Sequence, residues 1–218
     1  MKNKLKFFIM TAMVMFGILL VPNIYAAEMF ENGSGRTPTN SDVVCSFNAN
    51  KTEVTAGDII DVTITLDKLP DNGLGVCAFS SRIAFDPTKV EVLECGKDGV
   101  EGTGYKYIMP GEAGRKLGLN FGSAGIINAP GDDNMKMLSM GCFGDSSDGV
   151  KDPGVVATIK FKVKEGAKGN LGLFLLKDDA TNNGFSVAGA YINDLGEIRV
   201  DSSVTYYVNS NLSQVKAI

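Results

Sequence analysis

The chain has 218 residues, a formal net charge of −4, four cysteines and no histidine. The absence of histidine excludes Ser-His-Asp and Cys-His catalysis and histidine-ligated zinc or iron sites. The acidic balance argues against nucleic acid as a partner, because a nucleic-acid surface needs clustered Lys and Arg.

Residues 1–26 have the pattern of a secretory signal peptide. Three lysines precede an apolar run from Phe7 to Val21, and Ala26 follows as a small residue at the exit. The run is shorter than the roughly 20 residues that a membrane-spanning helix needs, which favours cleavage over a retained anchor. We therefore expect a secreted protein, extracellular or associated with the cell surface, without a membrane span once the signal is removed. Removal of the three lysines leaves a charge of about −7.

The rest of the chain divides into a linker, one domain and a tail. Residues 27–42 are polar, hold Gly, Ser, Thr, Asn and Pro without periodicity, and predict a flexible linker. Strand signals begin near Val43, so we place the domain at residues 43–210 and a C-terminal tail at 211–218. About 190 mature residues are compatible with a single sandwich domain.

Short segments with alternating hydrophobicity recur through this domain, separated by turn groups such as LPDNG and NAPGDDN. The clearest are VVCSFNAN, IIDVTITL, VCAFSSRIAF, KVEVLEC, MKMLSMGCF, VVATIKFKV and SVTYYVN. No window of helical length keeps an apolar stripe at i, i+3, i+4 and i+7. The sequence therefore predicts an all-β fold in which two sheets face each other.

The alternation assigns faces to two of these strands. In IIDVTITL, the apolar residues Ile60, Val62, Ile64 and Leu66 can share one face of a sheet that is wet on the other side. In VCAFSSRIAF, the aromatic residues place Phe79, Ile83 and Phe85 in the core, together with Cys77 and Ser81. The opposite, exposed face then holds Ala78, Ser80, Arg82 and Ala84.

This strand is expected to stop at Asp86-Pro87. Pro87 has no amide hydrogen to continue the ladder, and the Asp86 side chain can cap a tight turn. The chain then re-enters a strand in which Val90 and Val92 point inward. The densest basic run, KFKVKEGAK, places its alternate lysines on one side of a strand, which predicts a solvated sheet face.

The remaining polar groups indicate no catalytic or metal site. Cys45, Cys77, Cys95 and Cys142 permit two disulfides or serve as buried thiols, both readings stay open, and their spacing matches no zinc motif. The carboxylate pairs Asp132-Asp133 and Asp178-Asp179 lie in turn-like segments, where adjacent residues point apart. Neither DSSDG nor DDATNNG has the spacing of a calcium loop. We expect neither enzymatic activity nor a cofactor.

The order of several segments resembles that of a cohesin domain, the module with which cellulosome scaffoldins capture enzymes. The segments are VTAGDIIDVTITLDKLP, GLGVCAFSSRIAFDPTKVEVLEC, KDPGVVATIKFKVK, NNGFSVAG and SVTYYVN. They run from Val54 to Asn209, and the resemblance as a whole covers roughly Val43 to Asn209. The resemblance implies a nine-stranded jelly-roll sandwich with immunoglobulin-like two-sheet architecture. It also implies a non-catalytic module for extracellular polysaccharide degradation, one flat face of which binds the dockerin of an enzyme or scaffoldin.

The resemblance also suggests a partner-binding face. The best-known cohesins carry Asn and Asp where this chain has Ala78 and Ser80, so these polar contacts are absent and Arg82 is the remaining long polar group. If Phe143 matches the family's inward Phe, then Leu138, Met140, Cys142 and Gly144 face outward, with Asp145 following. A shift of one residue would instead bury Leu138 and Met140. The predicted partner-binding residues are Ala78, Ser80, Arg82, Leu138, Met140, Gly144 and Asp145.

Two other functions remain open. A carbohydrate-binding module on a related jelly roll would bind polysaccharide through a tyrosine platform, but tryptophan is absent and Tyr206 and Tyr207 are adjacent, so they point apart in a strand. The candidate platform residues are Tyr105, Tyr107, Tyr191, Tyr206 and Tyr207. A structural or adhesive sandwich of the cell envelope would bind neither dockerin nor glycan.

Overall fold

The structure is a computed structural model that describes residues 37–69, 75–95, 106–117, 125–143, 149–176, 186–192, 198–201 and 205–218. The predicted signal peptide and residues 27–36 of the predicted linker lie outside these ranges. Fifteen strands are found in the described part of the chain. They are β1 (Val43–Ala49), β2 (Glu53–Val54), β3 (Ile59–Lys68), β4 (Val76–Phe85), β5 (Val90–Val92), β6 (Met109–Pro110), β7 (Gly125–Ala129), β8 (Asp132–Phe143), β9 (Gly154–Val163), β10 (Gly169–Asn170), β11 (Phe174–Leu175), β12 (Ser186–Ile192), β13 (Ile198–Asp201), β14 (Tyr206–Ser210) and β15 (Lys216–Ala217).

These strands form two large sheets and one small sheet. The first, which we call the β3 sheet, has the order β14-β1-β3-β9-β5, with β6 also paired to β9. The second, the β4 sheet, has the order β13-β12-β4-β8-β7, with β11 also paired to β4. The small sheet has the order β10-β15-β2. The predicted all-β sandwich is confirmed, whereas the predicted count of nine strands is not.

The core lies between the β3 sheet and the β4 sheet. Ile60, Val62, Ile64 and Leu66 of β3 are all fully buried, which confirms the face predicted from their alternation. Across the core, the Phe47 ring of β1 stacks on the Phe79 ring of β4, with 6.3 Å between centroids. Burial of each such large side chain stabilises the fold by about 1.5–3 kcal/mol.

The outer face of the β3 sheet is charged and solvated, as the basic run predicts. Lys160 Nζ lies 2.6 Å from a carboxylate oxygen of Asp61, and Lys162 Nζ lies 3.9 Å from one of Glu91. These side chains are a third to a half exposed, so each pair stabilises the fold by about 1 kcal/mol or less.

The Asp-Pro turn after β4 has the predicted cap. Asp86 Oδ1 accepts hydrogen bonds from the Thr88 amide at 2.9 Å and from the Thr88 hydroxyl at 2.6 Å. Partial burial raises the pKa of Asp86, but the two bonds from Thr88 and the Lys89 ammonium outweigh it and lower the pKa overall. The cap therefore favours the ionised carboxylate.

One short helix, α1 (Glu112–Lys116), packs against β9. It approaches the strand so closely that a Cβ on Gly114 would lie 2.1 Å from the carbonyl oxygen of Val156. Ala113 and Leu117 of this segment are buried in the core. No helix within the described ranges is long and apolar enough to cross a membrane.

Residues 211–218 pack into the sandwich rather than forming the tail expected from the sequence. Leu212 and Val215 are fully buried, and β15 pairs in parallel with β2 and in antiparallel with β10. Asn211 adds hydrogen bonds between its side-chain amide and the backbone of Ala49 at 2.7 and 3.1 Å. The packed domain therefore extends to the last strand.

Candidate partner-binding face

The candidate site is the outer face of the β4 sheet, where β4, β8 and β7 lie side by side. On β4, Phe79, Ser81 and Ile83 are each 1% exposed, whereas the alternate residues Ala78, Ser80 and Arg82 are half-buried. The face assigned to β4 from its alternation is therefore confirmed for these residues, whereas Ala84, which was expected on the exposed face, is fully buried. Whether these three outward residues bind a partner stays a prediction.

Strand β8 supplies the next row of this outer face. Its antiparallel register pairs Ser80 with Gly141 and Arg82 with Ser139, and paired residues share one face of the sheet. Ser139 is half-buried, and Gly141 is buried. The middle of the face is therefore covered by small side chains, and a partner can approach its backbone closely.

The predicted outward orientation of Leu138 and Met140 is wrong. Leu138 pairs with Ile83 and Met140 pairs with Ser81, both on the inner face of β4. The two residues are 1% and 2% exposed and belong to the core between the sheets. The prediction assigned β8 the opposite parity, and a one-residue slip exchanges the two faces of a strand.

Other residues predicted for this surface cannot be placed on it. Gly144 and Asp145 lie outside the described residues. Phe143, which set the predicted parity of β8, pairs with the outward residue Ala78 in the backbone register.

The sequence analysis missed Ile127 of β7. Gly125 pairs with Ser139 and Ile127 pairs with Met137, so β7 continues the outer face beyond β8. The side chain of Ile127 is 50% exposed. Its segment is Gly-rich and without clear periodicity, so only the two adjacent apolar residues Ile126 and Ile127 indicated a strand.

A small apolar cluster lies at the Asp-Pro end of the same face. It is built around Ala84 of β4 and Met137 of β8, with Ala129 and Leu176, and all four are buried. Met135 and Phe174 pack against it and are half-buried. The outer face therefore changes from small residues at its centre to apolar residues at this end.

The part of the outer face formed by β4, β8 and β7 carries few charged side chains. Along β4 from 78 to 84, β8 from 137 to 143 and β7 from 125 to 127, Arg82 is the one charged residue. This arrangement offers one cationic group within a small, mostly apolar surface. Among the described residues, no group of three or more Cys, Asp or Glu is placed to hold a metal ion.

The cysteines whose side chains are described are free thiols. Cys45 and Cys77 are buried and Cys95 is half-buried. Burial raises the pKa of all three thiols, which keeps them neutral. The sequence left two alternatives, disulfides or buried thiols, and these three residues are thiols. The side chain of Cys142 lies outside the described residues.

The groups that would serve other functions are dispersed. Asp132 and Asp133 are exposed at the start of β8, where Asp132 Oδ1 accepts a hydrogen bond from the Asn134 amide at 2.9 Å. Asp178 and Asp179 lie outside the described residues, as does Tyr105. Tyr206 and Tyr207 lie on β14, in the β3 sheet, and both are half-buried.

Comparison with known proteins identifies a family. A family model described as the cohesin domain matches residues 45–190 of this chain. No curated protein sequence is significantly similar to the chain.

Several solved structures are similar to it. One is a type II cohesin–X-dockerin complex from Acetivibrio cellulolyticus, at 19% identity over 78% of this chain and 96% of that chain, with a TM-score of 0.46. A second is the third ScaC cohesin in complex with the ScaB dockerin from Acetivibrio cellulolyticus, at 21% identity over 77% and 94%, with a TM-score of 0.44. A third is the type II cohesin A11 from Bacteroides cellulosolvens, at 17% identity over 76% and 95%, with a TM-score of 0.44.

Proposed function

We propose that this chain, which belongs to the cohesin domain family, is a non-catalytic module that binds a dockerin through the outer face of the β4 sheet. The observation that carries the proposal is the outward orientation of three residues of β4, taken together with the chain's membership of the cohesin domain family. Ala78, Ser80 and Arg82 face outward from the strand that precedes the Asp-Pro turn, which is the strand that the resemblance assigns to dockerin binding.

The chemistry of the face suits binding by surface complementarity. Its central side chains are those of Ala78, Ser80 and Ser139, which are small and lose little conformational entropy when covered. One cation, Arg82, lies beside them, and Arg is frequent among residues that dominate binding energy. A flat surface of this composition fits a packed helix better than a flexible glycan.

The absence of Asn and Asp at positions 78 and 80 bears on specificity. A dockerin that depends on hydrogen bonds to those two side chains loses them here, and its own polar groups are left buried without partners. Such a loss costs about 1–3 kcal/mol for each group. We therefore propose that this domain selects dockerins whose contact surface is more apolar than that recognised by the best-known cohesins.

The setting we propose is extracellular polysaccharide degradation. Support comes from the family and from the predicted signal peptide at residues 1–26, in which three lysines precede an apolar run. In this setting, the domain gathers dockerin-bearing enzymes or scaffoldins on the outside of the cell.

The test is a pull-down with the domain at micromolar concentration against a panel of purified dockerins. We expect at least one dockerin to be retained by the unaltered domain and lost with Ala78→Glu, which puts a charge at the centre of the face. Retention of no dockerin by the unaltered domain would contradict the proposal. Thermal unfolding of the variant checks that its fold is intact.

A further inference from the structure

Strand β7 is an edge of the β4 sheet. It ends the strand order β13-β12-β4-β8-β7, and within the described ranges it pairs with β8 alone. An edge strand presents backbone N–H and C=O groups to which a further strand can pair. The sequence of β7, GIINA, contains neither a charged residue nor a proline, and these are the residues with which natural proteins usually protect such an edge.

The other edge strands of the two large sheets differ from β7. Strand β13 carries Arg199 and Asp201, β5 carries Glu91, and β6 ends in Pro110. Strand β14 carries no charge, but three of its five residues have further interactions within the chain. Among the described strands, β7 is therefore the edge with the least protection against another strand.

The middle residue of β7 is a large apolar side chain that is half exposed. Ile127 is the third of the five residues Gly125–Ala129, and its side chain is 50% exposed. The other exposed large apolar residues in the described part of the chain are Ile59 and Ile218, and neither lies on the β4 sheet. The apolar surface of this sheet edge is thus centred on the strand that has the open backbone.

We infer that two copies of this chain associate by antiparallel pairing of their β7 strands about a two-fold axis at Ile127. In this register Gly125 pairs with Ala129 of the other copy, Ile126 with Asn128, and Ile127 with Ile127, so all five residues of each strand are used. Directly opposite residues have Cβ atoms about 4.5–5.5 Å apart, so the two Ile127 side chains cover each other. Such a pairing uses the same surface of both copies and closes at two.

The composition of β7 suits this symmetry. A two-fold axis at the middle of a strand places the central residue opposite its own counterpart, so a charge there would meet a like charge and oppose association. A shift of the register by two residues would pair only three residues of each strand. It would also place Ile127 opposite Gly125 or Ala129, which cover it less than a second isoleucine does.

The size of the contact predicts a weak and reversible dimer. Two strands of five residues bury much less surface than the roughly 1,200 Å² at which stable interfaces begin. We therefore expect a dissociation constant of roughly 10–100 μM for the dimer.

The pairing continues the β4 sheet from one copy into the other. The two-fold axis of an antiparallel pair is perpendicular to the sheet, so the outer faces of both β4 sheets lie on the same side. Five strand spacings of about 4.8 Å separate the two β4 strands by about 24 Å. The dimer would therefore present two dockerin-binding faces side by side, and a partner with two dockerins would gain avidity. This consequence rests on the proposed function, whereas the pairing itself does not.

The experiment is sedimentation velocity of the purified protein at concentrations from about 1 to 500 μM, which span the expected dissociation constant. The forms compared are the unaltered protein, Ile127→Lys, Ile127→Asp and Ile59→Asp. We expect both charged variants at position 127 to weaken association by about a hundredfold or more, because like charges meet at the axis. Ile59 is 44% exposed on the β3 sheet, so Ile59→Asp is the matched control and should dimerise within about twofold of the unaltered protein.

A mixture of the two charged variants tests the position of the axis. Ile127→Lys and Ile127→Asp place opposite charges at the paired position only when one copy of each associates. We expect the equimolar mixture to form a dimer at least about tenfold more tightly than either variant alone. A second test that does not depend on charge is Ile127→Cys, which should form a disulfide-linked dimer on oxidation, whereas Ile59→Cys should not.

The outcomes decide the inference independently of the proposed function. A protein that stays monomeric at about 500 μM, a dimer that persists in Ile127→Lys, or a mixture that does not associate more tightly would each overturn the pairing. A monomeric protein that retains a dockerin would overturn this inference and leave the proposed function intact. Thermal unfolding checks that each variant is folded, and if a charged variant is not, the cross-linking of Ile127→Cys against Ile59→Cys decides.

Discussion

Replacing Phe79 with alanine is expected to lower the free energy of unfolding by about 3–5 kcal/mol. The Phe79 side chain is 1% exposed and stacks at 6.3 Å on the Phe47 ring of the β3 sheet. Truncation removes this contact between the sheets and leaves a cavity that the surrounding strands fill only in part. Ala78, the adjacent residue, faces outward and is half-buried. Ala78→Glu is therefore expected to change the free energy of unfolding by about 0.5 kcal/mol or less.

The assay is urea and thermal unfolding of the two variants beside the unaltered domain. For a domain of this size, 1 kcal/mol corresponds to about 2–4 °C in Tm, so Phe79→Ala is expected to lower Tm by roughly 6–20 °C. Ala78→Glu should unfold within about 2 °C of the unaltered domain. The face assignment would be refuted if Ala78→Glu unfolded the domain while Phe79→Ala left its Tm unchanged.

Four further predictions test individual contacts. Leu138→Ala should lower the free energy of unfolding by about 2–5 kcal/mol, because the side chain is buried. An unchanged midpoint in urea unfolding would contradict the placement of Leu138 in the core. The buried hydroxyl of Ser81 has no hydrogen-bond partner among the described residues, so Ser81→Ala should raise the urea midpoint, and a lowered midpoint would reveal a missing partner. Gly114→Ala should lower Tm, because its Cβ would lie 2.1 Å from the Val156 carbonyl, and an unchanged Tm would mean that α1 is packed less closely. Hydrogen bonds from the Lys51 ammonium and from Thr55 lower the pKa of Asp58 to about 2 from 3.8, so its stabilising effect is present above about pH 4 and is lost as the pH falls towards 2; the urea midpoint should therefore decline less over this range in Asp58→Asn, and equal declines would contradict the assignment.

The faces of β3 and β4 could be predicted because the signal is local. Alternation along β3 distinguishes Ile60 and Val62 from Asp61 without any knowledge of neighbouring strands, and the aromatic Phe79 does the same for β4. The Asp86 cap could also be predicted from the sequence, since an Asx turn is formed by residues close in sequence.

The orientation of β8 could not be fixed in this way. Phe143 alone predicts the wrong parity for β8, because the pairing of β8 with β4 is a tertiary feature that places Leu138 opposite Ile83. The alternation of large Leu138 and Met140 with small Ser139 and Gly141 was a local sign of the correct parity.

Two parts of the domain gave weaker signals still. Ile127 lies in a Gly-rich segment, where no periodicity marked β7 as a continuation of the face. The pairing of β15 with β2 joins residues more than 160 positions apart through two-residue strands. Strands this short carry no pattern, so the burial of Leu212 and Val215 was not visible from the sequence.

The most direct test of the central claim is a titration of one dockerin against the unaltered domain, Ala78→Glu and Thr63→Glu. Thr63 lies on the outer face of the β3 sheet and is half-buried like Ala78, so it carries the same substitution on the opposite side of the sandwich. Binding through the β4 sheet predicts that Ala78→Glu abolishes the heat of binding while Thr63→Glu binds with unchanged affinity. The opposite result, with binding lost in Thr63→Glu and kept in Ala78→Glu, would contradict the assignment of the partner-binding face.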